Sequence, residues 1–183
     1  LVLPAGRDEP RVRMVAERTA SALELGRMIE RDDTALQLRV HGGFLLDLLD
    51  GRVGSYVYVS SIMAYDQSLA GRFPWTEDMP TNPDGPTSYG GFKALSETAM
   101  LARHAATGFP ASIVRPAAIY GPDNNIYDME TPMFLRLLQG RPVLVPHGGL
   151  VVGSYGHVDD LCEAMVVMAD HPAATGHVFN VTG

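Results

Sequence analysis

Residues 56–61 read Tyr56-Val57-Tyr58-Val59-Ser60-Ser61. Four residues, alternately aromatic and β-branched, with no polar alternation make the pattern of a strand buried on both faces of a parallel sheet, and the two serines end it. Downstream, Tyr89 to Thr107 carries Phe92, Leu95, Ala99, Ala102 and Ala106 on one face at helical spacing, with Gly108 just beyond as a C-cap. Ala111-Ser112-Ile113-Val114 repeats the buried-strand pattern and runs into Arg115-Pro116. Strand, helix and strand in that order make a βαβ unit, which predicts a parallel sheet.

The alternation continues outward. Towards the C-terminus the patterning predicts a helix over 131–139, a short strand over 142–146, a helix over 158–170 and a last strand over 177–181. Between Asp66 and Ser88 the breakers Pro74, Pro80, Pro83, Pro86, Gly71 and Gly85 leave room only for a long loop. Towards the N-terminus, Gly42-Gly43 predicts a turn into a short helix through Phe44, Leu45, Leu46, Leu48 and Leu49, stopped by Gly51 and Gly54. Farther upstream lie an alternating run over 35–40 and a loose helical pattern over 15–29. No repeat or low-complexity segment divides the chain, so 1–183 reads as a single α/β domain.

Composition narrows the function. With 183 residues, 46% hydrophobic and 19% charged, the chain is globular rather than disordered. A net charge of −7 repels a phosphate backbone, so no nucleic acid partner is expected. No apolar run approaches the ~20 residues of a membrane-spanning helix, which gives the expectation of a soluble, cytoplasmic protein with no membrane partner. The lone Cys162 excludes an intrachain disulfide and is read as an inert core residue. The 6 histidines show no pair at ligand spacing beside a carboxylate, so they are read as surface or loop residues and no metal is predicted. Of 14 basic residues only Lys93 is a lysine.

That lysine stands four residues after Tyr89 on the same helix face, one turn away. A cation there favours the ionised phenol and moves its pKa from about 10 towards neutrality, as an acid or base needs. Seven tyrosines in 183 residues put this spacing at about 4% by chance for any one lysine. Ser60 and Ser61 close a strand at its carboxyl end, the edge where open parallel sheets bind ligands.

Together these blocks resemble the extended short-chain dehydrogenase/reductases, the NAD-dependent epimerase/dehydratase family, over about 51–183. The resemblance rests on residues 56–61 followed by Tyr65, on Thr76-Glu77-Asp78, on Ser88-Tyr89-Gly90-Gly91-Phe92-Lys93 with Glu97, and on Arg115-Pro116-Ala117-Ala118-Ile119-Tyr120-Gly121-Pro122. Gly156-His157-Val158-Asp159-Asp160-Leu161 and Val178-Phe179-Asn180-Val181-Thr182-Gly183 look like its later helix and strand. The resemblance implies a partial Rossmann-type doubly wound parallel sheet with helices on both faces. It also implies a catalytic set of Tyr89, Lys93 and Ser61, with Ser61 preferred to Ser60 because it sits four before Tyr65. NAD, with NADP not excluded, would lie against Ser60, Tyr89, Lys93, Pro116 and Ile119. Ser61, Asn124 and Asn125 would face the substrate, a plain turn role standing equally open for the two asparagines. The implied activity is that of an NAD(P)-dependent sugar-nucleotide epimerase, dehydratase or related reductase, with a small-molecule partner and a homodimer as a possible assembly.

The family's opening glycine-rich turn, whose amides hold the pyrophosphate, has no counterpart in this sequence. Residues 1–50 match the family poorly, 51–183 carry the catalytic part and some substrate-side elements, and the expectation is a piece truncated at both ends. The alternative is a non-catalytic nucleotide- or RNA-binding protein on the same scaffold, such as the chloroplast stem-loop binding relatives, which Ile119 to Asn125 and Gly140-Arg141-Pro142-Val143 also resemble. A serine hydrolase is disfavoured, because Ser88 and Ser154 lack the first glycine of a nucleophile elbow.

Overall fold

A computed structural model describes residues 2–4, 45–122, 124, 130–150 and 152–182. The patterns over 15–29 and 35–40, the Gly42-Gly43 turn, His41 and Asn125 lie outside the described residues.

The sheet is built as its sequence demands. Strand β2 (Val53–Val59) and strand β3 (Ala111–Pro116) pair in parallel, with Tyr56 opposite Ala111 and Val59 opposite Val114. Strand β6 (Val178–Val181) extends the sheet in parallel on the far side of β3, from Ile113 opposite Val178 to Pro116 opposite Val181. One strand departs from the expected direction. Strand β1 (Val2–Pro4), a segment with no strand signal of its own, runs antiparallel to β2 and gives the order β1-β2-β3-β6. An antiparallel strand at the edge of a parallel sheet leaves the parallel core unchanged. Strand β4 (Ala118–Tyr120) pairs in parallel with strand β5 (Tyr155–His157) as a separate two-stranded sheet.

Helices cover both faces. Alternate residues of β2 point to opposite sides. Tyr56 and Tyr58 pack with Ile113, Phe109, Leu46 of helix α1 (Leu45–Leu49) and Met100 of helix α2 (Tyr89–Thr107). Val57 and Val114 pack on the other side with Leu161 and Met168 of helix α4 (Val158–Asp170). The intervening helix α3 (Glu130–Leu138) buries none of its side chains among the described residues. α2 begins at a Ser88 N-cap, whose hydroxyl accepts from the Gly91 amide at 3.0 Å. It ends on Gly108, left-handed at φ 76°.

Three expectations fail. The strand predicted over 142–146 is absent: Pro142 and Pro146 supply no ladder amide, Leu144 is 92% exposed, and a 3-10 turn over Pro146–Gly149 follows. Cys162 is exposed on α4 rather than in the core, because Leu161 and Met168 take the sheet-facing side of that helix. His104 is also neither exposed nor in a loop: it is half-buried on α2, its Nδ1 2.9 Å from the Phe109 carbonyl.

Met100 is fully buried between α2 and the sheet, whereas Val166 on α4 is half exposed. Met100→Ala is expected to lower unfolding free energy by about 2–5 kcal/mol in urea titration, and Val166→Ala by no more than about 0.5 kcal/mol.

Candidate active site

The site forms where β2 ends. Ser61 is half-buried and caps a 3-10 turn over Ile62–Ala64, its Oγ accepting from the Met63 amide at 3.1 Å. The turn lies directly on the start of α2. A Cβ on Gly90 would sit 2.1 Å from the Met63 carbonyl oxygen, and one on Gly91 would sit 2.2 Å from the Gly85 carbonyl oxygen. Two glycines in one helical turn cost helix stability. Here they let two loop backbones close onto the helix beside Tyr89.

Tyr89, Lys93 and Glu97 recur every four residues along α2, so they form one stripe. Tyr89 is 57% exposed, Lys93 is half-buried and Glu97 is 2% exposed, which leads the stripe from solvent into the core. The Lys93 ammonium donates to the Val59 carbonyl at 3.0 Å and lies 5.5 Å from the Tyr89 ring centroid and 5.1 Å from that of Tyr58. The two rings differ in environment. Burial holds the Tyr58 phenol well above its ordinary pKa, against a hydrogen bond with Ser96 that lowers it, so Tyr58 stays protonated. The exposed Tyr89 is the phenol that a ligand can reach.

Beneath the stripe lies a buried ion pair. Arg115 Nε donates to both Glu97 oxygens, at 3.0 and 3.2 Å, and its Nη2 donates to Oε2 at 2.5 Å. The Ser60 hydroxyl also donates to Glu97 Oε1. Burial pulls the Arg115 pKa down, but the bonds and charge of Glu97 outweigh it and leave it above its ordinary value. The guanidinium also lies over the Tyr65 ring at 4.3 Å, and its Nη1 donates to the Glu77 carbonyl at 3.3 Å. Tyr65 Oη in turn donates to Asn180 Oδ1 at 2.7 Å, and the Asn180 amide donates to the Glu77 carboxylate at 2.8 Å.

The structure therefore gathers Ser60, Ser61, Tyr89 and Lys93 at the junction of β2 and α2, with Pro116 buried at the matching end of β3. The Ser60 side chain, 3% exposed, is bonded inward to Glu97 rather than open to a ligand. Ile119 packs against the α4-side core from β4. Asn124 is not part of the gathered set: its amide donates to both Glu130 oxygens at 2.9 Å, at the start of α3. That bond, with amide donors including Gly121, holds the Glu130 carboxyl below its ordinary pKa. Sequence reasoning quoted Glu97 and Arg115 but gave them no role. Arg115 carried a signal, a base between Val114 and Pro116 in a strand buried throughout, whereas Glu97, between Ser96 and the exposed Thr98, carried none beyond its spacing four after Lys93.

The gathered groups fit the nicotinamide-ribose end of a dinucleotide. An ammonium suits a ribose hydroxyl, a reachable phenol suits proton transfer, and both stand at the carboxyl edge of a parallel sheet. A Tyr-x-x-x-Lys helix beside a strand-end serine on such a sheet defines the short-chain dehydrogenase/reductase class. Residues 27–182 match the model of the NAD dependent epimerase/dehydratase family, and the chain belongs to that family. The match starts upstream of the first recognisable motif.

Relatives agree. The chain is 33% identical over 132 residues to dTDP-glucose 4,6-dehydratase of Streptomyces griseus, covering 72% of this chain and 38% of the relative. It is 31% identical over 132 residues to the chloroplast stem-loop binding protein of 41 kDa b of Arabidopsis thaliana, covering 72% and 32%. The crystal structure of dTDP-glucose 4,6-dehydratase from Bacillus anthracis in complex with NAD superposes with a TM-score of 0.63 at 26% identity, covering 76% of this chain and 44% of that one. The chain thus spans less than half the length of each of these relatives. Among the described residues no helix is long and apolar enough to cross a membrane.

Two substitutions test this geometry. Gly→Ala inside a helix ordinarily gains about 0.5–1 kcal/mol, whereas Gly90→Ala is expected to lose at least about 1–3 kcal/mol in urea titration because its Cβ meets the Met63 carbonyl. Asn124→Ala is expected to move the Glu130 carboxyl pKa upward, read by carboxyl-carbon NMR titration. With the folded pKa depressed, the Glu130 interaction stabilises the fold at neutral pH and is lost as pH falls through that value, so the variant loses less on acidification.

Proposed function

We propose that the chain is the catalytic part of an NAD(P)-dependent enzyme acting on a nucleotide-linked sugar, an epimerase, dehydratase or related reductase, with Tyr89 as the acid/base. The observation that carries this reading is the placing of Lys93: its ammonium bridges the end of β2 and the exposed Tyr89 ring. The family membership and the dTDP-glucose 4,6-dehydratase relatives support the substrate class.

The division of labour follows from the groups present. A bound nicotinamide ring supplies a two-electron acceptor and donor for the hydride of the oxidised carbinol carbon. Tyr89 Oη takes the proton of that carbinol hydroxyl, and returns it when the carbonyl is reduced. Lys93 favours the ionised phenol and offers its remaining ammonium protons to a ribose hydroxyl. Ser61, at the strand end, donates to the substrate oxygen between the two protonation states. The site would hold the nicotinamide end of the cofactor with Tyr89, Lys93 and the Pro116 backbone. The chain's acidic balance favours NAD(P) chemistry over RNA binding on this scaffold.

In the protein that carries this chain, Tyr89→Phe is expected to lower turnover by about 10²–10⁴-fold with an unchanged melting temperature. Lys93→Ala is expected to weaken nicotinamide binding and to move the acidic limb of the rate profile to higher pH, since loss of the cation raises the pKa of the phenol that must be ionised to take the proton. Wild-type turnover in Tyr89→Phe refutes the assignment.

A further inference from the structure

The junction between β2 and α2 is closed by two successive bonds. Lys93 donates to the carbonyl of Val59, and one helical turn deeper Glu97 accepts from the hydroxyl of Ser60. The next residue on the strand is Ser61, and the next turn outward on the helix is Tyr89. The register of strand end against helix therefore decides where the serine hydroxyl stands relative to the phenol and the ammonium. Of the two bonds the inner one is the firmer. Glu97 is 2% exposed and is itself held by three contacts from Arg115, so its carboxylate has no freedom to follow Ser60 if the strand end shifts. Lys93, on a long flexible stem, does.

We propose that Glu97 is a positioning residue for the reaction: clamped by Arg115, it holds the Ser60 hydroxyl and so fixes Ser61 against the helix that carries Tyr89 and Lys93. This rests on the reading of Tyr89, Lys93 and Ser61 as the reacting set. Glu97 touches neither substrate nor cofactor. Its charge is the price of rigidity: a carboxylate locked by a guanidinium accepts a shorter, more directional bond from a serine than a neutral group does. The backbone downstream of the bond shares the constraint. The Ser60 amide donates to the Val114 carbonyl at 2.7 Å, the Met63 amide to Ser61 Oγ at 3.1 Å, and the Ala64 amide to the Ser61 carbonyl at 2.9 Å.

Glu97→Gln leaves Arg115 buried without its counter-charge and is expected to fold poorly, so the decisive variants are Ser60→Ala and Ser60→Thr, which leave the ion pair intact. In the full-length protein, Ser60→Ala is expected to lower kcat by up to about 10²-fold with KM within about twofold, and Ser60→Thr, which keeps the hydroxyl, to recover most of it. In the same Ser60→Ala sample without ligands, the Met63 and Ala64 amides are expected to exchange with deuterium at least about tenfold faster, while the Ile113 amide in the sheet keeps its wild-type rate. Unchanged kcat in Ser60→Ala overturns the proposal, as does lowered kcat with unchanged exchange at Met63 and Ala64. If Tyr89→Phe proves fully active, the reading of the reacting set has failed. The exchange rates then still decide whether the Ser60–Glu97 bond fixes the strand end.

Discussion

The Glu97–Arg115 pair holds the molecule together where it matters. Both residues are almost wholly buried, at 2% exposure each, and removing two charges from water costs several kcal/mol per ion unless every polar atom is met. Here they are met: both carboxylate oxygens take guanidinium donors, Ser60 adds a third partner, and the outer guanidinium nitrogen reaches the Glu77 carbonyl. Such a pair contributes little net stability over an apolar pair of the same volume, and its effect is on specificity of arrangement. It permits only one relation between α2, the end of β2, and β3.

From that relation the rest of the site follows. Arg115 brings its planar face onto Tyr65, Tyr65 reaches Asn180 on β6, and Asn180 with Glu77 draws the proline-rich loop back over the sheet edge. The prolines and glycines leave the loop no regular ladder, so beyond a single bridge between Tyr65 and Thr81 it is held largely by side chains. On the outer side the same helix presents Lys93 and then Tyr89 to solvent, so one stripe of residues four apart links the buried charge to the reachable phenol. Gly90 and Gly91 let the strand-end turn and the loop approach the first helical turn.

The βαβ core was legible because its signals are local. Residues 89–107 carry a helical stripe with a C-cap glycine just beyond, and the observed helix has those bounds. β2 showed through its apolar run over 56–59 and β3 through Ala111-Ser112-Ile113-Val114, and 158–170 showed as the last helix. What escaped depends on pairing between distant segments. Val2–Pro4 becomes a strand only because β2 offers it an edge, and 142–146 stays irregular because nothing pairs with it. Cys162 sits in a helix apolar on several sides, where sequence cannot tell which side meets the sheet. Ser60 and Ser61 were both legible as a strand end, but their opposite orientations come from Glu97, 37 residues away.

The most direct measurement of the central claim, that the junction of β2 and α2 holds a nicotinamide against Tyr89 and Lys93, is to denature the purified full-length protein and identify any released nucleotide by mass spectrometry. The account predicts NAD or NADP, retained through purification or taken up when added, and its loss in Lys93→Ala. A folded protein that releases no nicotinamide nucleotide even after incubation with both would contradict it.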